Sequence, residues 1–336
     1  MSAEITALPS RPLLSVEDLR VSIPSRRGEV KAVDGISFTV QPGEVVGIVG
    51  ESGSGKSMLA LSILQLIPQP GRIASGRIAL DGRDLVGLSE RQMRHVRGND
   101  IGMIFQDPSA SLNPVLRIGR QVAETIEAHH AVSAAQSRSR SIDMLRGVRI
   151  PDPEIRARDF PHQYSGGMRQ RVMIAIGMAN QPKLLIADEP TTALDVTVQA
   201  QIMGLLGTMN KQTGTAIILI SHNIALVSRF CTRVLVMYAG RIVEAGPTAH
   251  VFAEPRHPYT RALLNAVPRI DKKLDEGLTT ISGRPPDLAA LPQGCAFQPR
   301  CQARIGICAT ERPPPVAVGN DRLARCWLNE VGAASK

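Results

Sequence analysis

Gly50-Glu51-Ser52-Gly53-Ser54-Gly55-Lys56-Ser57 fits the pattern G-x-x-x-x-G-K-[ST]. What flanks the eight residues is the setting the pattern requires. Before them runs the apolar EVVGIVG, and from Lys56 onward Leu59, Ile63, Leu66 and Ile67 fall three to four apart, one helical stripe. A strand therefore feeds a glycine loop that opens a helix over 56–67. Such a loop cradles phosphates: its glycines let backbone N–H groups turn inward and the helix N-terminus adds partial positive charge. Lys56 reaches the β and γ phosphates of a nucleotide, and the Ser57 hydroxyl ligates Mg²⁺.

Outward from the loop the chain keeps an α/β rhythm. LLSVEDLRVSI and VKAVDGISFTV precede it as strands, and RIALDG (77–82) follows as strand and turn, then a helix at 89–97 and the strand DIGMIFQ at 100–106. From 117 to 180 the spacing is helical, ending in RQRVMIAIGMA. LLIA (184–187) and AIILI (216–220) are continuous apolar runs, the mark of parallel strands buried on both faces, with a helix around 196–212 between them. VLVMYAGRIVEAG (234–246) reads as a hairpin turned at Ala239-Gly240. Beyond about 250 proline becomes frequent and four of the five cysteines appear. The organisation expected is a core over 1–250, with a helical subdomain at about 107–180, and a C-terminal module over 251–336.

Composition bounds the class. The chain has 336 residues, 43% hydrophobic and 21% charged, which suits a folded globular protein of about two domains. No apolar run approaches the ~18 to 20 residues of a membrane span, and MSAEITALPSRP lacks the basic flank and apolar core of a secretory signal. The formal charge of +9 invites an acidic partner, but aromatics make up only 3%, so base-stacking residues are scarce.

Two further groups carry chemistry. Asp188 and Glu189 end the LLIA run, at the strand edge where ligands of open α/β sheets bind. Neighbours on a strand point oppositely and can do different jobs: Asp188 to hold Mg²⁺, Glu189 to polarise the water that attacks the γ-phosphate. In YSGGMRQ, Ser165 caps a helix whose first turn, Gly166, Gly167 and Met168, presents open N–H groups, a second anion site. One triphosphate does not need two such helix ends from one side, so the second serves a nucleotide held by another copy or a related subunit.

The loop at 50–57, Gln106 after Ile104-Phe105, YSGGMRQR, LLIADEP, Ala193-Leu194-Asp195 and Ser221-His222 stand in the order of an ABC-type ATPase, which the chain resembles. The resemblance implies a P-loop ATPase core with a helical subdomain. It makes Gln106 the glutamine that senses Mg²⁺ and the transmembrane partner, His222 the switch histidine near the γ-phosphate, Asp195 a dimer contact, and Ser165 to Met168 the signature acting across the dimer. DPSASLNP (107–114) and HPYTRALL (257–264) narrow it to the ATPase subunits of oligopeptide/dipeptide and nickel ABC importers. That implies ATP hydrolysis at the cytoplasmic face of the cell membrane, two transmembrane permease subunits, a second ATPase subunit of like or unlike kind, and an extracytoplasmic solute-binding protein. The competing class is a nucleic-acid-associated ABC ATPase, of the repair, chromosome-organising or ribosome-linked kinds. Against it, one phosphate loop replaces the usual pair of ribosome-linked members, and the loop and signature stand too close for a long coiled coil; no nucleic-acid partner is expected.

Two positions depart from the family pattern. Near Ile23 an aromatic residue normally stacks on adenine, and Val21-Ser22-Ile23-Pro24 has none; Asn223 follows the switch histidine where Asp is common. In the tail, Cys295-x5-Cys301-x6-Cys308-x17-Cys326 would suit Zn²⁺ or an iron–sulfur cluster, or be free buried thiols. Similar tails in these importer ATPases look like iron–sulfur ligands, which makes a [4Fe-4S] cluster the expectation. Cys231, outside the group, reads as a small core residue.

Overall fold

In the computed structural model, which describes residues 11–26, 28–192, 194–267, 281–319 and 321–331, the chain opens with β1 (Leu14–Ser25), β2 (Gly28–Val40) and β3 (Val45–Val49). Then come α1 (Lys56–Ile63), β4 (Arg72–Leu80), β5 (Arg83–Asp84), α2 (Glu90–Val96) and β6 (Ile101–Ile104). Helices α3 (Pro108–Ser111), α4 (Ile118–Glu127), α5 (Ala134–Gly147), α6 (Pro153–Arg156) and α7 (Gly166–Met178) follow without an intervening strand. The chain returns through β7 (Leu184–Asp188), α8 (Val196–Thr213), β8 (Ala216–Ser221), α9 (Ile224–Phe230), β9 (Arg233–Tyr238) and β10 (Arg241–Pro247). It closes with α10 (Thr248–Ala253), α11 (Pro258–Asn265), β11 (Val316–Ala317), β12 (Leu323–Ala324) and α12 (Trp327–Val331).

Alternation along buried strands builds two cores. In β3, Val45 and Val49 enter one hydrophobic cluster with the helical residues Val172, Leu205 and Val227, while Val46 and Ile48 enter the other with Leu59 and Ile63 of α1 and with β1 and β2. The main sheet has the order β11-β12-β10-β9-β3-β8-β7-β6, and β2-β1-β4-β5 form a second, antiparallel sheet. β3 runs parallel to both β8 and β9, and β7 parallel to β6 and β8, so the carboxyl ends of β3 and β7 open on the same edge.

The hairpin over 234–246 forms as expected. Ala239 (φ 48°) and Gly240 (φ 75°) are the two residues between paired Tyr238 and Arg241, the left-handed pair of a two-residue turn. α1 is shorter than its stripe: the helix stops at Ile63, Gln65 turns left-handed (φ 51°), and Leu66 is left exposed. The tail does not stand apart, because β12 pairs with β10 (Glu244 opposite Ala324) and extends the main sheet. At that seam the fully buried Glu244 carboxylate accepts from the backbone N–H of Arg256 and His257 and pairs with Arg322 at 3.1 Å.

Candidate functional site

The loop between β3 and α1 is wedged under neighbouring backbone. A Cβ on Gly55 (φ 101°) would meet the Ala32 carbonyl oxygen at 2.2 Å, and one on Gly50 the Met237 carbonyl oxygen at 2.2 Å, so glycine is dictated at both. Lys56 is buried, its Nζ donating to the carbonyls of Gly50 (2.8 Å) and Glu51 (2.9 Å). The ammonium lies across the loop it follows. Burial pushes its pKa below the ordinary value, opposed by the nearby Glu189, Asp188 and Glu51 carboxylates. Ser52, Gly53 and Ser57 face solvent at the mouth, and Ser54 is buried.

Across the sheet edge, Asp188 ends β7, buried, and is hydrogen-bonded by Ser57. Burial raises its pKa, Ser57 and Lys56 work against that, and Glu189 adds to it. Its Oδ1 has no protein partner. A hydroxyl and a buried carboxylate with an orphaned oxygen, on two adjacent elements, form a donor set that fits Mg²⁺.

Glu189 leaves the strand in a left-handed conformation (φ 48°), its N–H bonded to the Ile220 carbonyl at 2.9 Å. Its Oε2 is the meeting point of three side chains: Gln106 Nε2 donates at 3.1 Å, Thr192 Oγ1 donates at 2.9 Å, and His222 Nδ1 lies at 3.2 Å. Gln106, Glu189 and His222, expected from separate motifs, thus converge on one atom. Thr192 was not expected; only its place three residues after the glutamate signals it.

Ser165 caps α7, its Oγ accepting from Met168 N–H at 3.3 Å, and Ser165 and Gly166 are exposed. Gly167 packs where a Cβ would meet Val198 of α8 at 2.9 Å. Asp195 caps α8 by accepting from Val198 N–H at 2.9 Å. Ala193 lies outside the described residues. Two residues of the C-terminal stretch, Tyr259 and Arg300, also reach the loop and hold Glu51. HPYTRALL marked the first only as a resemblance, and nothing in the sequence marked the second.

The four tail cysteines line one cavity, with His257, Pro258 and Trp327. These are the donors of the expected [4Fe-4S] cluster, and among the described residues no group of three or more His, Cys, Asp or Glu side chains is found that could hold a metal ion. Burial pushes the thiols of Cys295 and Cys301 up, and that of Cys326 to about 11. Cys231 is the core residue expected, its thiol pushed up to about 12 by burial beside Gly47. Among the described residues no helix is long and apolar enough to cross a membrane.

Comparison with known proteins matches this geometry. The family model for ABC transporters matches residues 33–192, and that for the oligopeptide/dipeptide transporter C-terminal region matches residues 243–308. The chain is 49% identical over 321 residues to a probable peptide ABC transporter ATP-binding protein, y4tR, of Sinorhizobium fredii, covering 95% of this chain and 96% of that one. It is 49% identical over 319 residues to the oligopeptide transport ATP-binding protein OppD of Salmonella typhimurium, covering 95% and 94%. Among solved structures, the dimeric post-hydrolysis state of the ATP-binding cassette MJ0796 with ADP and Pi superposes with a TM-score of 0.64 at 27% identity, over 70% of this chain and 98% of that one. The cbiO1 component of the ABC transporter complex cbiONQ from Clostridium perfringens does so at 0.61 and 32% identity, over 72% and 91%. With a phosphate loop, a paired carboxylate edge and near-half identity along the chain, this protein belongs to the ABC transporter family, among its ATP-hydrolysing subunits.

Proposed function

We propose that the chain powers uptake of di- or oligopeptides by a membrane importer, hydrolysing ATP in a dimer that closes on the nucleotide and reopens after its cleavage. The observation that carries the ATPase half is the convergence of Gln106, Thr192 and His222 on Glu189 Oε2 beside the loop. The peptide half rests on the oligopeptide-transport relatives and on the matched C-terminal region. The nucleic-acid alternative has no such support.

In this reading Gly50, Ser52, Gly53, Ser54 and Gly55 wrap the phosphates, and Lys56 leaves its carbonyl partners for the β and γ oxygens. Ser57 and Asp188 hold Mg²⁺, with Gln106 beside them; the ion neutralises phosphate charge when bound. Glu189 accepts a proton from the attacking water and orients it, and His222 fixes the carboxylate from the other side. Ser165, Gly166, Gly167 and Met168, at a helix N-terminus whose Ser165 and Gly166 are exposed, complete the site of a neighbouring ATPase subunit, identical or paralogous, with Asp195 at the seam. The core over 1–250, its helical part at 107–180 and the module over 251–336 divide that labour. The helical part engages two permease subunits at the cytoplasmic face of the membrane, and an extracytoplasmic binding protein delivers cargo.

Cys295, Cys301, Cys308 and Cys326 would hold a [4Fe-4S] cluster as a structural staple; their shared cavity supports this. Iron and acid-labile sulfide counted on anaerobically purified full-length protein test it, and their absence removes it. The transport reading is tested by reconstituting the chain with its permease in vesicles and following a labelled peptide. ATP-dependent uptake lost on Lys56→Ala is expected; turnover indifferent to the permease and to protein concentration would overturn it.

A further inference from the structure

We infer that the C-terminal segment positions the phosphate loop, through Tyr259 and Arg300 acting on Glu51. This rests on the reading of that loop as the ATP site. All three polar groups of Glu51 are occupied. Its N–H donates to Tyr259 Oη at 2.8 Å, its carbonyl accepts from Lys56 Nζ at 2.9 Å and from Ser54 N–H at 3.2 Å, and its carboxylate takes both Arg300 Nη1 (2.6 Å) and Nη2 (2.9 Å). The residue that anchors Lys56 is thus itself held from outside the loop.

The holders are rigid. Tyr259 is fully buried, its ring 4.5 Å from that of Tyr238 and 5.4 Å from that of Phe297. The Arg300 side chain is 5% exposed and lies over the rings of Tyr238 and Phe297 at about 6 Å. A forked guanidinium on a carboxylate fixes orientation as well as charge.

Charge explains why the contact matters to function. Glu51 puts a carboxylate at the mouth of a site for a polyanion, where it would repel phosphate. Arg300 cancels that charge and holds the carboxylate on the side of the C-terminal segment, while Tyr259 keeps the peptide N–H from turning. Both act through Glu51 and are positioning residues; neither is placed on the nucleotide.

The test titrates MgATP against hydrolysis by the full-length chain. Arg300→Gln should raise KM for ATP about tenfold, the size of one lost charged contact, with kcat moved far less. Arg300→Lys, which keeps the charge without the fork, should recover only part of the loss. Glu51→Gln combined with Arg300→Gln should bring KM back toward the wild-type value, because the uncompensated carboxylate is gone; a merely structural role predicts no such rescue. Tyr259→Phe keeps the rings and removes only the hydroxyl, so it reads the same effect if Arg300→Gln does not fold, with KM raised several-fold. Unchanged KM in Arg300→Gln and Tyr259→Phe, or a double variant as impaired as Arg300→Gln, overturns the inference. A wild-type chain that does not turn over MgATP, or a Lys56→Ala variant that turns it over normally, overturns the underlying reading instead.

Discussion

Replacing Asp34 by Asn should loosen the joint between the two sheets and the tail. The Asp34 side chain is 2% exposed, and its carboxylate takes Arg20 at 2.7 Å, Arg241 through Nε (2.9 Å) and Nη2 (2.8 Å), and Arg312 at 3.0 Å. One carboxylate therefore ties β1 and β2 to β10 and to a residue 278 positions away. Burial alone would raise its pKa, but Arg241, then Arg312 and Arg20, outweigh it and hold the carboxyl below its ordinary 3.8. Removing one partner of a buried pair costs about 3–5 kcal/mol. The arginines here are 27–42% exposed and regain water, so the low end applies, about 3 kcal/mol. For a chain of this size that is a fall in melting temperature of roughly 4 °C. The sign with pH follows from linkage: a depressed carboxyl contributes stability above pH 3.8 that is lost as pH falls through its native value, so the gap between variant and wild type should be constant at neutral pH and shrink below 3.8. Calorimetry or urea unfolding followed by the single Trp327 reads both. A variant melting within 1 °C of wild type at pH 7.5 refutes the reasoning.

Three other outcomes are expected. Glu189→Gln should lower hydrolysis by about 10²–10⁴-fold while nucleotide binding persists and an ATP-bound dimer accumulates; monomeric protein with full turnover in size-exclusion and phosphate-release assays would contradict it. Gly55→Ala should abolish binding of a fluorescent ATP analogue, since its Cβ meets the Ala32 carbonyl at 2.2 Å and its φ is 101°; retained affinity would mean the loop backbone yields. Cys231, with its thiol pushed to about 12, should resist a charged thiol reagent in the native protein at pH 8 and react only on unfolding, which mass spectrometry of labelled peptides can follow.

What sequence could foretell was what local pattern encodes. Lys56, Ser57, Asp188 and Glu189 sit where strand ends put them, and Ala239-Gly240 turns the hairpin because Gly240 takes left-handed backbone freely and a two-residue turn of that hand matches the twist of the strands. The Glu189 cluster was legible only as separate motifs, because Gln106 is 83 residues from the glutamate and no spacing rule spans that distance. Arg300 on Glu51 and Arg312 on Asp34 were not legible at all: an arginine in a proline-rich tail carries no period, and its partner is fixed by tertiary packing. The end of α1 at Ile63 was missed because Leu66 and Ile67 continue the apolar stripe that Gln65 interrupts.

The grip of Arg300 on Glu51 spans 249 positions, which gives it a meaning during synthesis. At roughly 5–20 residues per second the glycine loop is made some 12–50 s before the arginine that completes its anchorage. A nascent chain on the ribosome thus carries an unbraced loop until the segment that holds Arg300 has been made and has folded against it.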